Sequence, residues 1–377
     1  MRLRDYQRRA VDQIGRCLAD SESTLLVLAT GLGKTVCFAH AIAEHCPPGK
    51  RAMVLAHREE LITQNARTIE AVLGEPCDIE RADQHADLQG SLNGKARVIV
   101  ASKDSLHPKR LARFDPAEFG MIVTDESHHA TATSYTRIYD YFANAKHLGV
   151  TATPRRHDGM ALGQIYESDA MVYGIAEGIH DGWLVPILGY SPIITDLNLD
   201  IVKTVAGDLS QAETAEQLER ERAVHEVCTT SIERCGDRRS LVFTVSVRQA
   251  EMLADRLNGY KPGCAKSVCG ETPSDERAAI IAGHKRNDFQ FLCNCGVLLE
   301  GYDDPGIRAI VMARPTKSLG LFTQMIGRGT RTVPGLVETI EDAAARRHAI
   351  KMSEKSNCLL LNFTANCAKH KLITPAD

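Results

Sequence analysis

The amino-acid sequence predicts an α/β protein of two domains, each a mostly parallel sheet covered by helices. Short apolar runs alternate with stretches of helical periodicity, which is the pattern of parallel strands joined by crossover helices. The runs are nearly continuous in apolar residues, as expected for strands that are buried on both faces. A length of 377 residues, 44% of them hydrophobic, suits two or three domains with well-buried cores.

Ten apolar runs are predicted to form strands, and they fall into two groups. The first group comprises Thr24–Ala29, Ala52–Ala56, Val98–Ala101, Met121–Thr124 and His147–Val150. The second comprises Leu241–Val245, Ala265–Cys269, Phe289–Cys293, Ala309–Ala313 and Cys358–Phe363. A less regular region, residues 183–208, separates the groups. We therefore place the domain boundary near Gly182, which gives domains of residues 1–182 and 183–377.

A capping-box pattern, Ser210-Gln211-Ala212-Glu213, follows the irregular region. In such a pattern the first side chain caps the amide of the fourth residue, and the fourth side chain reaches back to the first amide. We expect a helix to begin there and to run toward Cys235.

The composition disfavours membrane-spanning and secreted proteins. Apolar runs such as Leu25–Ala29 are far too short to cross a bilayer, and the first residues lack the apolar region of a signal peptide. The 12 cysteines are scattered without a CxxC pair, which suits a reducing compartment better than a disulfide framework or a zinc module. We expect a cytoplasmic protein, encoded by a bacterium or a phage.

The charge balance gives no overall basic field that would indicate a nucleic-acid partner. Lys and Arg number 45 against 48 Asp and Glu, for a net charge of −3. A locally basic groove, or contacts made by backbone amides, would leave the total unchanged, so nucleic-acid binding stays open. Cys293-Asn294-Cys295 lies in an apolar stretch and is interpreted as buried thiols rather than a metal site.

The strongest local motif is Ala29-Thr30-Gly31-Leu32-Gly33-Lys34-Thr35, between an apolar strand and a helical stretch. Glycines in a strand–loop–helix let backbone N–H groups surround phosphates at a helix N-terminus. Lys34 would reach the β- and γ-phosphates, and Thr35 would place its hydroxyl on Mg²⁺. The generic pattern has Gly where this chain has Leu28, so a glycine-rich turn that only ends a strand is the alternative.

A second motif, Asp125-Glu126-Ser127-His128, follows the predicted strand Met121–Thr124. Paired carboxylates at a strand end suit phosphoryl transfer, with Asp125 holding Mg²⁺ through water and Glu126 deprotonating the attacking water. A metal site at His128 and His129 is rejected, because no HExxH pattern and no Cys partner is nearby.

The third motif, Gln324-Met325-Ile326-Gly327-Arg328-Gly329-Thr330-Arg331, lies in the second predicted domain. Two arginines three residues apart can share one helical face. Pointed across a domain cleft, their guanidinium groups would match γ-phosphate oxygens and stabilise the charge of a transition state. Standing alone, the stretch would more often be a solvated basic helix end.

Together these motifs closely resemble motifs I, II (in a DExH form) and VI of the superfamily 2 helicases and translocases. Further elements of that family match in the right order over nearly the whole chain. They are Leu3–Gln7 (the adenine-reading segment), Ala56–Arg58 (motif Ia), Ser102–Leu106 (the strand-binding element), Thr151–Pro154 (motif III), Leu241–Thr244 (motif IV) and Glu300–Asp303 with Pro305 (motif V).

The resemblance implies two tandem RecA-like domains with the ATP site in the cleft between them. It implies catalytic roles for Lys34, Glu126, Gln324, Arg328 and Arg331. It implies nucleotide contacts from Arg4, Gln7, Thr30, Gly31, Gly33, Lys34, Thr35, Asp125, Gly301 and Asp303, with Thr35 and Asp125 holding Mg²⁺. Nucleic acid would touch Arg58, Ser102, Thr244 and Gly301, while His128, Thr151 and Thr153 would couple hydrolysis to domain movement.

Within the superfamily the chain looks most like the RadD/XPB-like branch, close to the type I restriction translocases and phage recombination helicases. The DEAD-box RNA branch is less similar, since this chain has Ser127 and His128 where that branch has Ala and Asp. The expected function is ATP-dependent movement on DNA, with ATP and Mg²⁺ as cofactors. An RNA helicase, or an ATP-switched clamp that needs a partner for unwinding, is the alternative. We expect a monomeric core that binds DNA in preference to RNA, no membrane partner, and a protein partner that supplies specificity.

Overall fold

A computed structural model describes residues 2–90, 94–130, 133–152, 162–194, 197–299 and 301–363. The chain divides into two compact units, Met1–Gly174 and Ile175–Asp377. The sequence placed the boundary a few residues later, at Gly182. The difference has a packing cause, because Arg346 of the second unit donates a hydrogen bond to Asp181 O at 2.7 Å and lies 3.9 Å from the Trp183 ring centroid.

The first unit is built on a sheet of seven parallel strands in the order β3-β4-β2-β5-β6-β1-β7. The strands are β1 (Ser23–Leu28), β2 (Arg51–Ala56), β3 (Asp78–Glu80), β4 (Val98–Ser102), β5 (Phe119–Asp125), β6 (Lys146–Thr151) and β7 (Ser168–Tyr173). β1, β2 and β5 are buried along their whole length, as their continuous apolar sequences require.

The helices of the first unit largely alternate with its strands along the chain, and the first three contact the sheet. They are α1 (Asp5–Asp20), α2 (Lys34–His45), α3 (Glu59–Leu73), α4 (Pro108–Leu111) and α5 (Thr133–Tyr141), with 3₁₀ turns at Pro116–Glu118 and Ser127–His129. In α1 the buried residues Ala10, Val11, Ile14 and Leu18 recur at helical spacing, which explains why this polar-rich segment is helical.

The second unit contains a six-stranded parallel sheet in the order β12-β13-β11-β14-β15-β8. Its strands are β8 (Ile187–Tyr190), β11 (Ser240–Thr244), β12 (Ala265–Val268), β13 (Phe291–Asn294), β14 (Ala309–Ala313) and β15 (Cys358–Asn362), and β9 (Thr204–Val205) with β10 (Asp208–Leu209) forms a small antiparallel ribbon. Its helices are α6 (Ile175–His180), α7 (Gln211–Leu218), α8 (Glu221–Cys235), α9 (Val247–Tyr260), α10 (Ser274–Lys285), α11 (Leu319–Gly327) and α12 (Ala343–Met352).

The predicted α/β class and all ten predicted strands are confirmed, with small shifts at the ends. The strands that the sequence did not predict are short or lie at sheet edges. β7 is only partly buried and β8 is almost entirely exposed, so neither carries the apolar run of a central strand.

The single helix expected from Ser210 toward Cys235 is wrong, because two helices occupy this segment. Ser210 does cap α7, accepting a hydrogen bond from Glu213 N, but the Glu213 carboxylate bonds Lys203 N instead of closing the box. At the break between the helices, the Glu219 carboxylate accepts a hydrogen bond from Ser246 Oγ at 2.5 Å. This contact ties the helix end to the start of α9.

Candidate nucleotide-binding site

The loop between β1 and α2 has the backbone conformation of a phosphate cradle. Gly31 and Gly33 have φ angles of +88° and +77°, a region that side-chain-bearing residues rarely adopt. At Gly33 a Cβ would also lie 2.5 Å from Gln7 Nε2. Because α2 begins at Lys34, the loop presents the unpaired N–H groups of a helix N-terminus, which favour anions.

The start of α1 braces this loop from behind. The Tyr6 hydroxyl donates to Leu32 O at 2.8 Å, and Gln7 Nε2 donates to the same oxygen at 3.1 Å. Gln7 Oε1 accepts from Arg4 N at 3.0 Å. The Tyr6 ring is stacked on Tyr173 with a centroid distance of 4.7 Å. Burial raises the pKa of the Tyr6 hydroxyl above its usual value. The adenine contact of Arg4 and Gln7 stays a prediction, and in this structure the Gln7 amide holds the loop.

An ion pair joins the loop to the paired carboxylates that follow β5. Lys34 Nζ lies 2.6 Å from Glu126 Oε1, and the two side chains are 13% and 8% exposed. Glu126 itself has a left-handed backbone, with φ +49° and ψ +51°. Such a conformation costs about 1–3 kcal/mol for a non-glycine residue and is concentrated at functional sites. The ion pair thus links the loop between β1 and α2 to the end of β5.

Thr35 and Asp125, the two predicted magnesium ligands, are joined by a residue that the sequence reasoning missed. Asn65 of α3 accepts a hydrogen bond from Thr35 Oγ1 at 3.1 Å and donates one to Asp125 Oδ2 at 2.9 Å. Burial, and then the neighbouring Glu126 carboxylate, raises the pKa of Asp125. The only sequence signal for Asn65 was a polar residue on the apolar face of an amphipathic helix.

His128 connects the carboxylates to the end of β6. Its Nδ1 lies 3.3 Å from Thr151 Oγ1 and 3.6 Å from Glu126 Oε2. Two of the three predicted coupling residues are thus neighbours, whereas Thr153 lies outside the described residues. Thr30 is buried in the loop beside them.

In the second unit the two arginines of the third motif have different surroundings. The Arg328 guanidinium donates to Leu299 O and, at 2.5 Å, to Tyr302 O, so it braces the segment that carries Gly301. Arg331 forms an ion pair with Asp303, and burial lowers its pKa to about 10. Arg331 is thus held by a side chain that can change partners, and Arg328 by main-chain carbonyls.

The expectation that both arginines share a helical face is wrong. α11 ends at Gly327, Arg328 is its C-cap, and Arg331 lies beyond it in a single antiparallel bridge with Leu184. The chain turns here under tight packing, because a Cβ on Gly329 would lie 2.3 Å from Cys358 Sγ. Gln324, the first residue of the motif, is buried in α11.

Three of the predicted nucleic-acid contacts, Arg58, Ser102 and Thr244, lie at or just after the carboxyl ends of strands. Arg58 follows β2 as the N-cap of α3, and Ser102 ends the neighbouring strand β4, where it pairs with Ala56. Thr244 ends β11, but it is buried and its hydroxyl donates within the unit, to Ser246 O and Asn294 O at 3.0 Å each. Arg58 and Ser102 therefore suit a phosphate contact better than Thr244 does.

Within the described residues, no helix has the length and apolar character needed to cross a bilayer. The same residues contain no cluster of three His, Cys, Asp or Glu side chains that could hold a metal ion. Cys293 is fully buried in β13, and burial raises its pKa well above the usual value.

Two family models match this chain. Residues 1–156 match the model described as "Type III restriction enzyme, res subunit", and residues 219–333 match the "Helicase conserved C-terminal domain". The first contains the glycine loop between β1 and α2 and the paired carboxylates, and the second contains the arginine motif.

Comparison with known proteins gives proteins named as helicases among the relatives of this chain. The chain is 31% identical to a protein named mitochondrial ATP-dependent helicase Irc3 of Schizosaccharomyces pombe, over 96% of this chain and 57% of the relative. It is 27% identical to one named DNA 3'-5' helicase Rad25 of Halobacterium salinarum, over 82% and 49%. Thus the chain spans about half the length of the curated relatives it matches. Further relatives come from a Lactococcus phage and from Escherichia coli, and a bacterial or phage origin stays a prediction.

The fold is shared with a solved fragment of an HsdR subunit of a type I restriction enzyme from Vibrio vulnificus. The match has a TM-score of 0.70 at 22% identity and covers 96% of this chain and 64% of that one. Each of the two units is thus a RecA-like domain, as the motif order implied. The chain therefore contains a restriction-enzyme res-subunit domain and a conserved helicase C-terminal domain, and its motifs resemble those of the DExH-type helicases and translocases of superfamily 2.

Proposed function

We propose that this chain is an ATP-driven DNA helicase or translocase, which couples Mg-ATP hydrolysis to sequence-independent movement on DNA. The observation that carries the proposal is the 2.6 Å ion pair between Lys34 of the phosphate loop and Glu126. A general base held against a phosphate cradle serves hydrolysis, and a protein that only binds nucleotide has no need of one. The similarity of this chain to a protein named as an ATP-dependent helicase supports the same function.

The donor atoms of the site fit a magnesium–nucleotide complex. The Thr35 hydroxyl and the Asp125 carboxylate are hard oxygen donors, the type that Mg²⁺ prefers. The positive φ angles of Gly31 and Gly33 would let main-chain N–H groups of the loop turn toward phosphate oxygens. Thr35 and Asp125 would hold the ion, whose charge would neutralise the β- and γ-phosphates.

In the proposed reaction Lys34 moves from Glu126 to the β- and γ-phosphates when ATP binds. Glu126, released from its ion pair, accepts the proton of the attacking water. Protonation of Glu126 would change its interaction with His128. His128 lies between Glu126 and Thr151, the last residue of β6, so this change would alter a contact at the end of that strand. Arg331 leaves Asp303 for the γ-phosphate and stabilises the charge that develops there.

DNA is the proposed track because one matched relative is named as a DNA helicase. Arg58 and Ser102, at the ends of adjacent strands, would contact phosphates and not base edges. Such contacts make binding independent of sequence and strongly dependent on salt. A protein partner would supply the choice of substrate, since phosphate contacts carry little sequence information.

The test is the steady-state ATPase rate without nucleic acid, with single-stranded DNA, with duplex DNA and with RNA, at one low salt concentration. Stimulation by DNA alone is the expected result. Stimulation by RNA alone would replace the proposal with an RNA helicase. Tight ATP binding without stimulation by any of them would indicate an ATP-switched clamp.

A further inference from the structure

Asn65 lies where three elements of the nucleotide site meet. It is in the middle of α3, only 1% exposed, and its amide reaches the start of α2 and the end of β5. Asn65 Oδ1 accepts a hydrogen bond from Thr35 Oγ1 at 3.1 Å, and Asn65 Nδ2 donates one to Asp125 Oδ2 at 2.9 Å. A single buried amide thus contacts both residues that fit a divalent cation.

The polarity of these contacts sets the orientation of both ligand groups. An ionised carboxylate only accepts, so Asp125 must face the amide nitrogen, and the amide oxygen then faces Thr35. The Thr35 hydroxyl has to donate its proton to Asn65, which turns its lone pairs away from Asn65 and leaves them for a cation. Asp125 is held at its other oxygen too, since Oδ1 accepts from Glu126 N at 3.0 Å.

We infer that Asn65 is a positioning residue for the metal–nucleotide site, which orients the Thr35 hydroxyl and the Asp125 carboxylate before the ion arrives. The inference rests on the proposed function and adds a residue outside the motifs that implied it. Hydrogen-bonded groups behind metal ligands commonly contribute about 10–100-fold to metal affinity or activity. Neither an aliphatic side chain nor a carboxylate of the same size can donate to Asp125 and accept from Thr35 at once.

The test measures binding of a fluorescent ADP derivative to the whole chain, with EDTA and across a Mg²⁺ titration, in the wild type and in Asn65→Leu. Leu has the same number and branching of heavy atoms as Asn, is larger because its branches are methyl groups, and makes neither hydrogen bond. We expect the Mg²⁺ concentration at half-saturation to rise about 10–100-fold. Binding of ADP without metal is expected to stay close to that of the wild type, because the loop amides and Lys34 are unchanged.

Asn258→Leu is the matched control. Asn258, in the second unit, also makes two hydrogen bonds through its amide, donating to Ala265 O at 2.9 Å and accepting from Ala265 N at 3.0 Å. The control should lower the thermal unfolding temperature without changing the Mg²⁺ half-saturation. Asn65→Ala is the second variant, in case the Leu side chain disturbs the packing of α3.

A wild-type Mg²⁺ half-saturation in folded Asn65→Leu and Asn65→Ala would overturn the inference. So would variants that do not fold, because Asn65 would then serve the stability of the unit. Failure of the proposed function has a different signature. In that case the wild type itself would bind ADP in a Mg²⁺-dependent way without hydrolysing ATP in any condition, and the comparison of half-saturations would still decide the role of Asn65.

Discussion

Glu126→Gln is expected to tighten nucleotide binding while it stops hydrolysis. The substitution keeps the shape of the side chain and removes its charge, so it weakens the contact that holds Lys34 when no nucleotide is bound. ATP and ADP would then compete with a neutral amide for Lys34, instead of with a carboxylate. Hydrolysis loses its general base, which contributes about 10²–10⁴-fold to the rate in typical enzymes.

The distance between Lys34 and Glu126 sets the size of the binding effect. At the observed 2.6 Å and an effective dielectric constant of about 20, two unit charges attract by about 6 kcal/mol. An amide in place of the carboxylate retains a hydrogen bond to a charged group, worth about 1.5–3 kcal/mol. Desolvation of the largely buried carboxylate offsets most of the difference. A residual of about 1–2 kcal/mol corresponds to nucleotide affinity that is about 5–30-fold tighter in the variant.

The assay is titration of a fluorescent ADP derivative and of ATP, together with the steady-state ATPase rate. Glu22→Gln serves as the control, because Glu22 pairs with Lys146 at 2.9 Å on the surface of the same unit. That variant should change neither affinity nor turnover. Equal or weaker nucleotide affinity in Glu126→Gln would refute the reasoning that Glu126 competes with phosphate for Lys34.

Three further predictions concern other parts of the chain. Arg331→Ala should lower the ATP turnover rate by about 10³–10⁵-fold, the effect of losing an arginine finger, and should leave nucleotide affinity nearly unchanged. Equal losses of turnover rate and of nucleotide affinity would contradict that role. Gly33→Ala should lower the free energy of unfolding in urea more than Gly49→Ala does. Both glycines have φ near +75°, but only at Gly33 would the new Cβ lie 2.5 Å from Gln7 Nε2. Equal decreases would show that the Gln7 side chain moves freely. Burial lowers the pKa of His284 to about 4, so the folded state binds fewer protons than the unfolded state and stability should fall as the pH drops from 6.5 to 4. The free energy of unfolding should decrease by about 3 kcal/mol over this pH range, and by less in His284→Gln. An unchanged pH profile of stability in that variant would contradict the assignment of this decrease to His284.

Much of the fold could be predicted from local sequence. Central strands such as β1 and β5 are buried on both faces, so they must be continuously apolar, and that pattern is visible without a structure. Edge strands such as β8 bury little and carry no such pattern. The break between α7 and α8 could not be predicted, because it coincides with a contact between Glu219 and Ser246, far apart in the chain.

The candidate site also has some features that could be predicted from local sequence and others that could not. The glycines at 31 and 33, Lys34, Thr35 and the carboxylates after β5 are adjacent in sequence, and their order within a strand–loop–helix is enough to predict a phosphate cradle. The different surroundings of Arg328 and Arg331 were not predictable, because the end of α11 at Gly327 depends on how the chain packs against β15.

The sequence by itself determined the two-domain α/β class, and it predicted the phosphate loop and the resemblance to superfamily 2 helicases. Each of these depends on periodicity or on residues that are close along the chain. The tertiary structure decided which side chains meet: that Lys34 is held by Glu126, and that Asn65 joins Thr35 to Asp125. The physical reason is that hydrogen bonds and ion pairs act over about 3 Å in space, whereas these partners are separated by 30 to 92 positions in the sequence.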